Sequence, residues 1–424
     1  MNEKGYKAFK PGMICKDKQY AENTDYEEAG GNICGAGMMH YCVNPFDCLN
    51  YYDLVGNDGK FSEFAEVEAL EKPVSGKLGK FATKKLHIGA KLSFAGFVKA
   101  CIDYTKKETI ENAPNGDVSS GDYAKIGSSG DSAKIGSSGG SAQIGSSGYY
   151  AQIGSSGYYA KIGSSGDSAK IGSSGGSAKI GSSGGSAKIG SSGDSAQIGS
   201  SGDSAKIGSS GYYAQIGSSG YYAQIGSSGD SAQIGSSGGS AKIGSSGGSA
   251  KIGSSGDYAQ IGSSGYYAKI GSSGGSAKIG SSGGSAKIGS SGDSAQIGSS
   301  GDSAQIGSSG DSAQIGSSGY YAQIGSSGDY AQIGSSGYYA QIGSSGDYAQ
   351  IDSAGEDAVI CCAGAASIVK AKVGSWVTLS EWKYSEEKAR NVPVCVKTEY
   401  VDGERIKADT WYKLKNGEFV EAEK

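Results

Sequence analysis

Gly220-Tyr221-Tyr222-Ala223-Gln224-Ile225-Gly226-Ser227-Ser228 is one copy of a nonapeptide, Gly-x-x-Ala-[Lys/Gln]-Ile-Gly-Ser-Ser, that recurs 26 times from Gly121 without gap or insertion. The last copy reads Gly346-Asp347-Tyr348-Ala349-Gln350-Ile351 and decays into Asp352-Ser353-Ala354. A fixed period means that one small structural unit is stacked on itself, so the fold depends on what nine residues can build. Collagen fails, because the fourth position is always Ala and the array holds no Pro. A flexible Gly/Ser spacer fails too, since solvated chain has no reason to keep one β-branched residue in phase through every copy. A β-solenoid has that reason, because its inward side chains stack in columns.

The residues predict a short strand over the third to sixth positions, with Gly-Ser-Ser-Gly turning the corner. Side chains alternate along a strand, which points Ala223 and Ile225 inward and Tyr222 and Gln224 outward. Gly at the first and seventh positions would supply the corner conformations, and paired serines such as Ser227-Ser228 would form hydroxyl ladders between coils. Nine residues are too few to close a two-sided coil, whereas 18 give two strands and two corners, so 26 copies predict 13 coils. The expected fold is therefore mostly β: a two-sided β-solenoid of nine-residue half-coils, flanked by a small α+β N-terminal domain and a β-rich C-terminal cap. The boundaries are a head at 1–110, a linker or first corner at 111–120, the array at 121–354, and degenerate coils with a β-meander at 355–424.

Composition supports this division. Gly supplies 76 of 424 residues, while every Pro, Cys, Trp and Phe lies outside 121–354, so the array has no conventional core. The eight cysteines are spread through apolar or mixed surroundings, which suits free thiols in a reducing compartment. The opening Met1-Asn2-Glu3-Lys4 carries no basic segment leading into an apolar run, and no apolar stretch reaches membrane-spanning length. These features predict a cytoplasmic protein without a membrane partner. Twelve Lys and twelve Asp leave the array neutral between Gly121 and Ile351, which disfavours both a nucleic-acid groove and a polyanion mimic. The first 19 copies hold all twelve Lys against seven Asp and the last seven hold five Asp, a gradient that permits self-association along the rod.

The second and third positions take four forms: Gly-Ser, Asp-Ser, Tyr-Tyr and Asp-Tyr. Asp stands at 12 of the 26 second positions without alternation, which argues against a calcium β-roll. The irregular mixture of Ser and Tyr argues against an ice-binding face. No metal or cofactor is expected. Tyr offers a large amphipathic contact surface, so stacked ladders of Tyr149, Tyr150, Tyr158 and Tyr159, and of Tyr212, Tyr213, Tyr221 and Tyr222, form the candidate binding face for a protein partner.

In the head, Glu63–Ala69 reads as a strand, and Leu92, Ala95, Val98 and Ile102 recur at helical spacing over Lys91–Tyr104. The stretch Cys34-Gly35-Ala36-Gly37-Met38-Met39-His40-Tyr41-Cys42 through Cys48 to Tyr51-Tyr52 is the most chemically suggestive. Zinc would use Cys34, His40 and Cys42 with Cys15 or Cys48, but the spacing fits no standard Cys-x2-Cys site. Gly35-Ala36-Gly37 is not followed as a phosphate loop would be. His40 and Cys42 would share a strand face without an identifiable orienting acid. His40, Cys42 and Tyr51 are kept as the candidate head site. In the C-terminal part, Ser375–Trp382 alternates as a strand, Asp402-Gly403 and Asn416-Gly417 signal hairpins, and Trp376, Trp382, Trp411 and Phe419 are the expected cap core.

Gly5-Tyr6-Lys7-Ala8-Phe9, Met39 to Pro45, Phe64 to Ala69 and Val401 to Tyr412 resemble an uncharacterised family from phages and gut bacteria. In that family an N-terminal domain of unknown function precedes short Gly-rich repeats and a β-rich tail. The resemblance implies a mobile-element origin, with the host cytoplasm as location, and no assigned activity. The stretch from Met38-Met39-His40-Tyr41 to Tyr51-Tyr52 is also similar to the Gly-x-Tyr/His-Phe strand of ADP-ribosyltransferase cores, without their catalytic acid. The expected function is a non-enzymatic binding or structural solenoid presenting Tyr, Lys, Gln and Ser faces to a protein. The alternatives are an enzyme with a nucleotide-binding head on an inert spacer, and a protein that binds host-defence factors.

Overall fold

The computed structural model describes residues 3–31, 37–55, 61–76, 79–108, 117–119 and 121–423. It comprises two compact units, Met1–Ser236 and Ser237–Lys424.

The first unit opens with a seven-stranded antiparallel sheet in the spatial order Thr24–Glu27, Lys85–Leu92, Glu63–Ala69, Glu3–Phe9, Met39–Cys42, Lys80–Thr83, Val74–Ser75. One face buries Phe9, Met39, Tyr41, Val67, Leu86 and Ile88. The other packs Ala8, Cys42 and Phe64 under a 3₁₀ helix, Pro45–Asn50, and an α-helix, Phe94–Glu108, with the rings of Phe64 and Phe97 stacked at 3.6 Å. The helix starts three residues later than its apolar spacing predicts. Lys91 and Leu92 finish a strand, and the Ser93 hydroxyl accepts the Gly96 N–H at 3.0 Å, capping the first turn.

The array is a two-sided solenoid. Strands from Lys125–Ser128 to Gln233–Ser236 stack in parallel as one sheet, and those from Lys134–Ser137 to Gln224–Ser227 as the other. Ile126 lies opposite Ile144 and Ile144 opposite Ile162, so each coil is 18 residues. The expected linker already contributes a strand, Asp117–Ser119, paired with Lys134–Ser137; residues 109–116 and 120 lie outside the described set. With further strands past 354 the solenoid has about 14 turns, not the expected 13.

The corner lies elsewhere than expected. Each strand covers the fifth to eighth positions, and the turn is Gly-x-x-Ala, closed in most copies by the Ala N–H on the Gly carbonyl, as at Ala223 and Gly220 (3.3 Å). Three side chains per copy therefore point inward. Ala223, Ile225 and Ser227 are all buried. The Ser227 hydroxyl does not ladder to the next coil but accepts the N–H of Gly229, holding the corner down. Gly at the first position serves close approach: a Cβ on Gly193 would stand 1.8 Å from the Gly175 carbonyl oxygen one coil away. Gly at the seventh position is no corner residue. It is mid-strand and faces outward, and a Cβ on Gly190 or Gly208 meets nothing within 4 Å.

The second unit continues the same pattern and then changes its turns. Up to Ser312, the third-position N–H donates to the preceding coil, as from Tyr258 to the Gly239 carbonyl (2.8 Å). From Tyr321 it donates forward, to the carbonyls of Tyr338, Asp347, Glu356 and Ala365 from Tyr321, Tyr330, Tyr339 and Tyr348 respectively. These four tyrosines take φ of +53° to +59°. Beyond the array, Val359–Cys362, Ile368–Lys370 and the start of Trp376–Ser385 extend the parallel sheets, and the hairpin Trp376–Ser385/Arg390–Tyr400 finishes one of them. Asn416-Gly417 does form a hairpin turn, both residues at positive φ, between Tyr412–Lys415 and Glu418–Glu421. Asp402-Gly403 does not join two strands: the Asp402 carboxylate accepts the N–H groups of Glu404 and Ile406 in a local turn. The expected aromatic core is likewise corrected. Val369, Val377, Leu379, Val401, Ile406 and Tyr412 are buried, while Trp382, Trp411 and Phe419 are partly exposed and Trp376 is 50% exposed against the Tyr400 ring. Outward-facing Trp376 follows from alternation, since Val377 and Leu379 take the inward places.

Candidate functional site

The head candidates lie on one strand and just past the 3₁₀ helix. His40 and Cys42 sit on Met39–Cys42; Cys42 is buried beside Phe46 and Cys48, and the His40 carbonyl accepts the Lys7 amine at 2.8 Å. Tyr51 follows the 3₁₀ helix, is 40% exposed and lies under the Lys80 ammonium. Cys34, Gly35 and Ala36 lie outside the described residues, and with them the Cys34-based zinc arrangement and the phosphate-loop comparison. Among the described residues no three His, Cys, Asp or Glu side chains converge as metal ligands, and Cys15, Cys42 and Cys48 are free thiols.

The tyrosine candidates are exposed but not stacked on one another. Consecutive nonapeptides turn opposite corners of the coil, so Tyr149-Tyr150 and Tyr158-Tyr159 lie on different edges, as do Tyr212-Tyr213 and Tyr221-Tyr222. Each pair packs within its own corner, edge to face, at 4.5–4.6 Å. The carboxylate of Asp167, one coil away, pushes the Tyr149 phenol above its usual pKa. True ladders require Tyr two copies apart, and the structure has them at Tyr320/Tyr338, Tyr321/Tyr339 and Tyr330/Tyr348, with rings 5.0–5.6 Å apart and within 15° of parallel.

The best-defined contact surface of the array is one the sequence did not disclose. In the first unit the head sits on the outward face of the sheet that contains Gln143, Lys161, Lys179, Gln197 and Gln215. Because the seventh position is Gly, this face has open lanes between its rows of Lys and Gln. Phe46, Val98 and Ile102 lie over Gly163, Val98 and Phe94 over Gly181, and Phe61, Phe94 and Leu54 over Gly199. The polar rows bind main chain and side chain at the head's lower edge. The Lys161 amine donates to the Phe46 carbonyl (3.1 Å) and to Asn50 Oδ1 (2.9 Å), and Lys179 donates to the Leu49 carbonyl. Gln143 Oε1 accepts from Asn44, and Gln197 accepts the Leu54 N–H at 3.1 Å while donating to Asp53 at 2.7 Å. Burial pushes both lysine amines below their usual pKa, opposed by Asp47 near Lys161 and Asp53 near Lys179. Desolvation likewise raises the Asp47 carboxyl. The signal was present in the recurrent seventh-position Gly, which a strand-centred reading would have placed outward.

Lattices of the same kind are exposed elsewhere. The first unit's other sheet exposes Lys170, Lys188 and Lys206 beside Gly172, Gly190 and Gly208. In the second unit Lys269, Lys287, Gln305 and Gln323 repeat the order Lys161, Lys179, Gln197, Gln215 of the head's footprint, beside Gly271, Gly289, Gly307 and Gly325.

Residues 3–100 match the model of a family described as a domain of unknown function, DUF7666. No curated protein and no solved structure matches the chain. Among the described residues no helix is long and apolar enough to cross a membrane.

Proposed function

We propose that this β-solenoid repeat protein is a non-enzymatic binding scaffold, and that its uncovered Lys/Gln–Gly lattices hold a protein partner by the chemistry that holds the head. The supporting observation is the head's own contact: aromatic and aliphatic side chains enter glycine lanes while Lys and Gln bond carbonyls and amides along the edge. A partner of this kind carries apolar knobs on a firm surface with unpaired main-chain groups beside them. The neutral array fits such a partner better than a polyanion, since non-specific nucleic-acid binding rests on net positive charge.

The test uses full-length protein as bait in host lysate, compared with Gly271→Val/Gly289→Val. Both added side chains point into open space, so they fill the lanes without disturbing the coils. Proteins retained by the parent and lost by the variant are the expected result. The same proteins retained at the same level by both would overturn the lattice as the binding surface.

A further inference from the structure

The head's footprint occurs twice in this chain. The lanes that the head enters are those of Gly163, Gly181, Gly199 and Gly217, where Phe46, Val98, Phe94 and Phe61 come within 2.8–3.6 Å of a Cβ position. They belong to the nonapeptides 157–165, 175–183, 193–201 and 211–219, and the nonapeptides 265–273, 283–291, 301–309 and 319–327 repeat these at every position. Gly-Tyr-Tyr-Ala-Lys, which opens each block, occurs only at Gly157 and Gly265, so no third stretch holds this order. Duplication of the whole segment does not explain the match by itself. The interleaved nonapeptides, whose strands lie on the other sheet, differ between the blocks: Asp167 against Gly275, Gly185 against Asp293, Lys188 against Gln296 and Lys206 against Gln314. Every difference falls outside the four nonapeptides that bear the lanes. The second block also keeps the register of the first, with Lys269 opposite Lys287, Lys287 opposite Gln305 and Gln305 opposite Gln323. Its lanes are open: a Cβ on Gly271, Gly289, Gly307 or Gly325 meets nothing within 4 Å, and the Lys and Gln beside them are exposed.

We propose that this second lattice docks the head of another copy of this chain, an inference that rests on the scaffold reading and names its partner. Lys269 and Lys287 would take the Phe46 and Leu49 carbonyls of the incoming head, and Gln305 its Leu54 N–H and Asp53, as Lys161, Lys179 and Gln197 do within one chain. The head has one docking face for both lattices, so a head seated on its own array is not available to a neighbour. The tether between Glu108 and Asp117 gives the chain's own lattice an effective concentration on the order of millimolar, which keeps the head at home in dilute solution. A head that leaves meets an identical surface on the next copy. That contact is head-to-tail, so it propagates from copy to copy instead of closing a pair.

Sedimentation velocity of the full-length protein is the test. Gly199→Val/Gly217→Val fills the two lanes nearest Phe61 and leaves the second lattice intact. With the head released, this variant should form concentration-dependent oligomers across the micromolar range, where the parent is monomeric. Adding Gly307→Val/Gly325→Val, the equivalent pair in the second lattice, should return it to monomer; both side chains point into open space, so the coils are undisturbed. The parent, concentrated to about 1 mM or above, should begin to associate, and Gly307→Val/Gly325→Val should abolish that. Monomer throughout both measurements, or oligomers that survive the Gly307→Val/Gly325→Val pair, overturns the proposal. A chain that stays monomeric yet captures host proteins through the Gly271 and Gly289 lanes loses this inference and keeps the scaffold reading. One that neither associates nor captures loses both.

Discussion

At the scale of single residues, the first- and seventh-position glycines of the nonapeptide do opposite work. Gly193 faces a carbonyl oxygen one coil away, and any Cβ there forces two coils apart; Gly190 faces open space. Gly193→Ala should therefore lower stability by about 3 kcal/mol through backbone displacement. Gly190→Val should be neutral or stabilising by roughly 0.5 kcal/mol, because Val is the better strand residue and loses less freedom on folding. Urea titrations of the two variants, followed by circular dichroism, check this; equal losses would show that the inward and outward assignment is wrong. The degenerate coils agree with it, since Asp352 and Cys361 replace the seventh-position Gly while Gly355 and Gly364 keep the first.

At the scale of elements, the change of turn in the second unit follows from which corners stack. Tyr stands two copies from Tyr only at Tyr320/Tyr338, Tyr321/Tyr339 and Tyr330/Tyr348, and those are the corners at which the third residue first turns left-handed. Ring stacking worth about 1 kcal/mol per pair offsets a conformational cost of similar size. The change also strips the corner of its serine. The Gly N–H to Ser hydroxyl bond recurs as far as Gly310 and Ser308, whereas the buried hydroxyls of Ser317, Ser326, Ser335 and Ser344 have no partner. Ser263→Ala, which removes the acceptor for Gly265, should cost about 1 kcal/mol; Ser326→Ala, which deletes an unpaired buried hydroxyl, should be neutral or stabilising. Thermal unfolding of the pair distinguishes them, and a larger loss from Ser326→Ala would contradict this account of the turn. Position-by-position alternation made Ala and Ile legible as inward from the sequence. It did not extend to Ser227, because two adjacent serines read as a polar corner, and the capping role of the first needs the Gly229 N–H in view.

At the scale of the molecule, the period alone carried the coil length, but the place of the head could not be read from either part separately. Docking depends on Phe46, Phe61, Phe94 and Val98 meeting glycine lanes 65 or more residues away in sequence, and no local pattern pairs those segments. It yields its own prediction. A Cβ on Gly199 would lie 2.8 Å from Phe61 and 2.9 Å from Phe94, so Gly199→Val should release the head while the array keeps its β spectrum. Hydrogen exchange of the Phe94–Tyr104 amides should quicken, and unchanged protection would mean the head is not held by this face. Two nonapeptides make one coil with two outward faces. Pyrene attached at outward glycines tests it most directly, in a background with Cys15 and Cys361 replaced by Ser. Gly262→Cys/Gly280→Cys places both labels on neighbouring strands of one sheet, where Gly262 lies opposite Gly280, and should give excimer emission. Gly262→Cys/Gly271→Cys places them on opposite sheets and should give monomer emission. Excimer emission from the nine-residue pair, or its absence from the 18-residue pair, would contradict the coil.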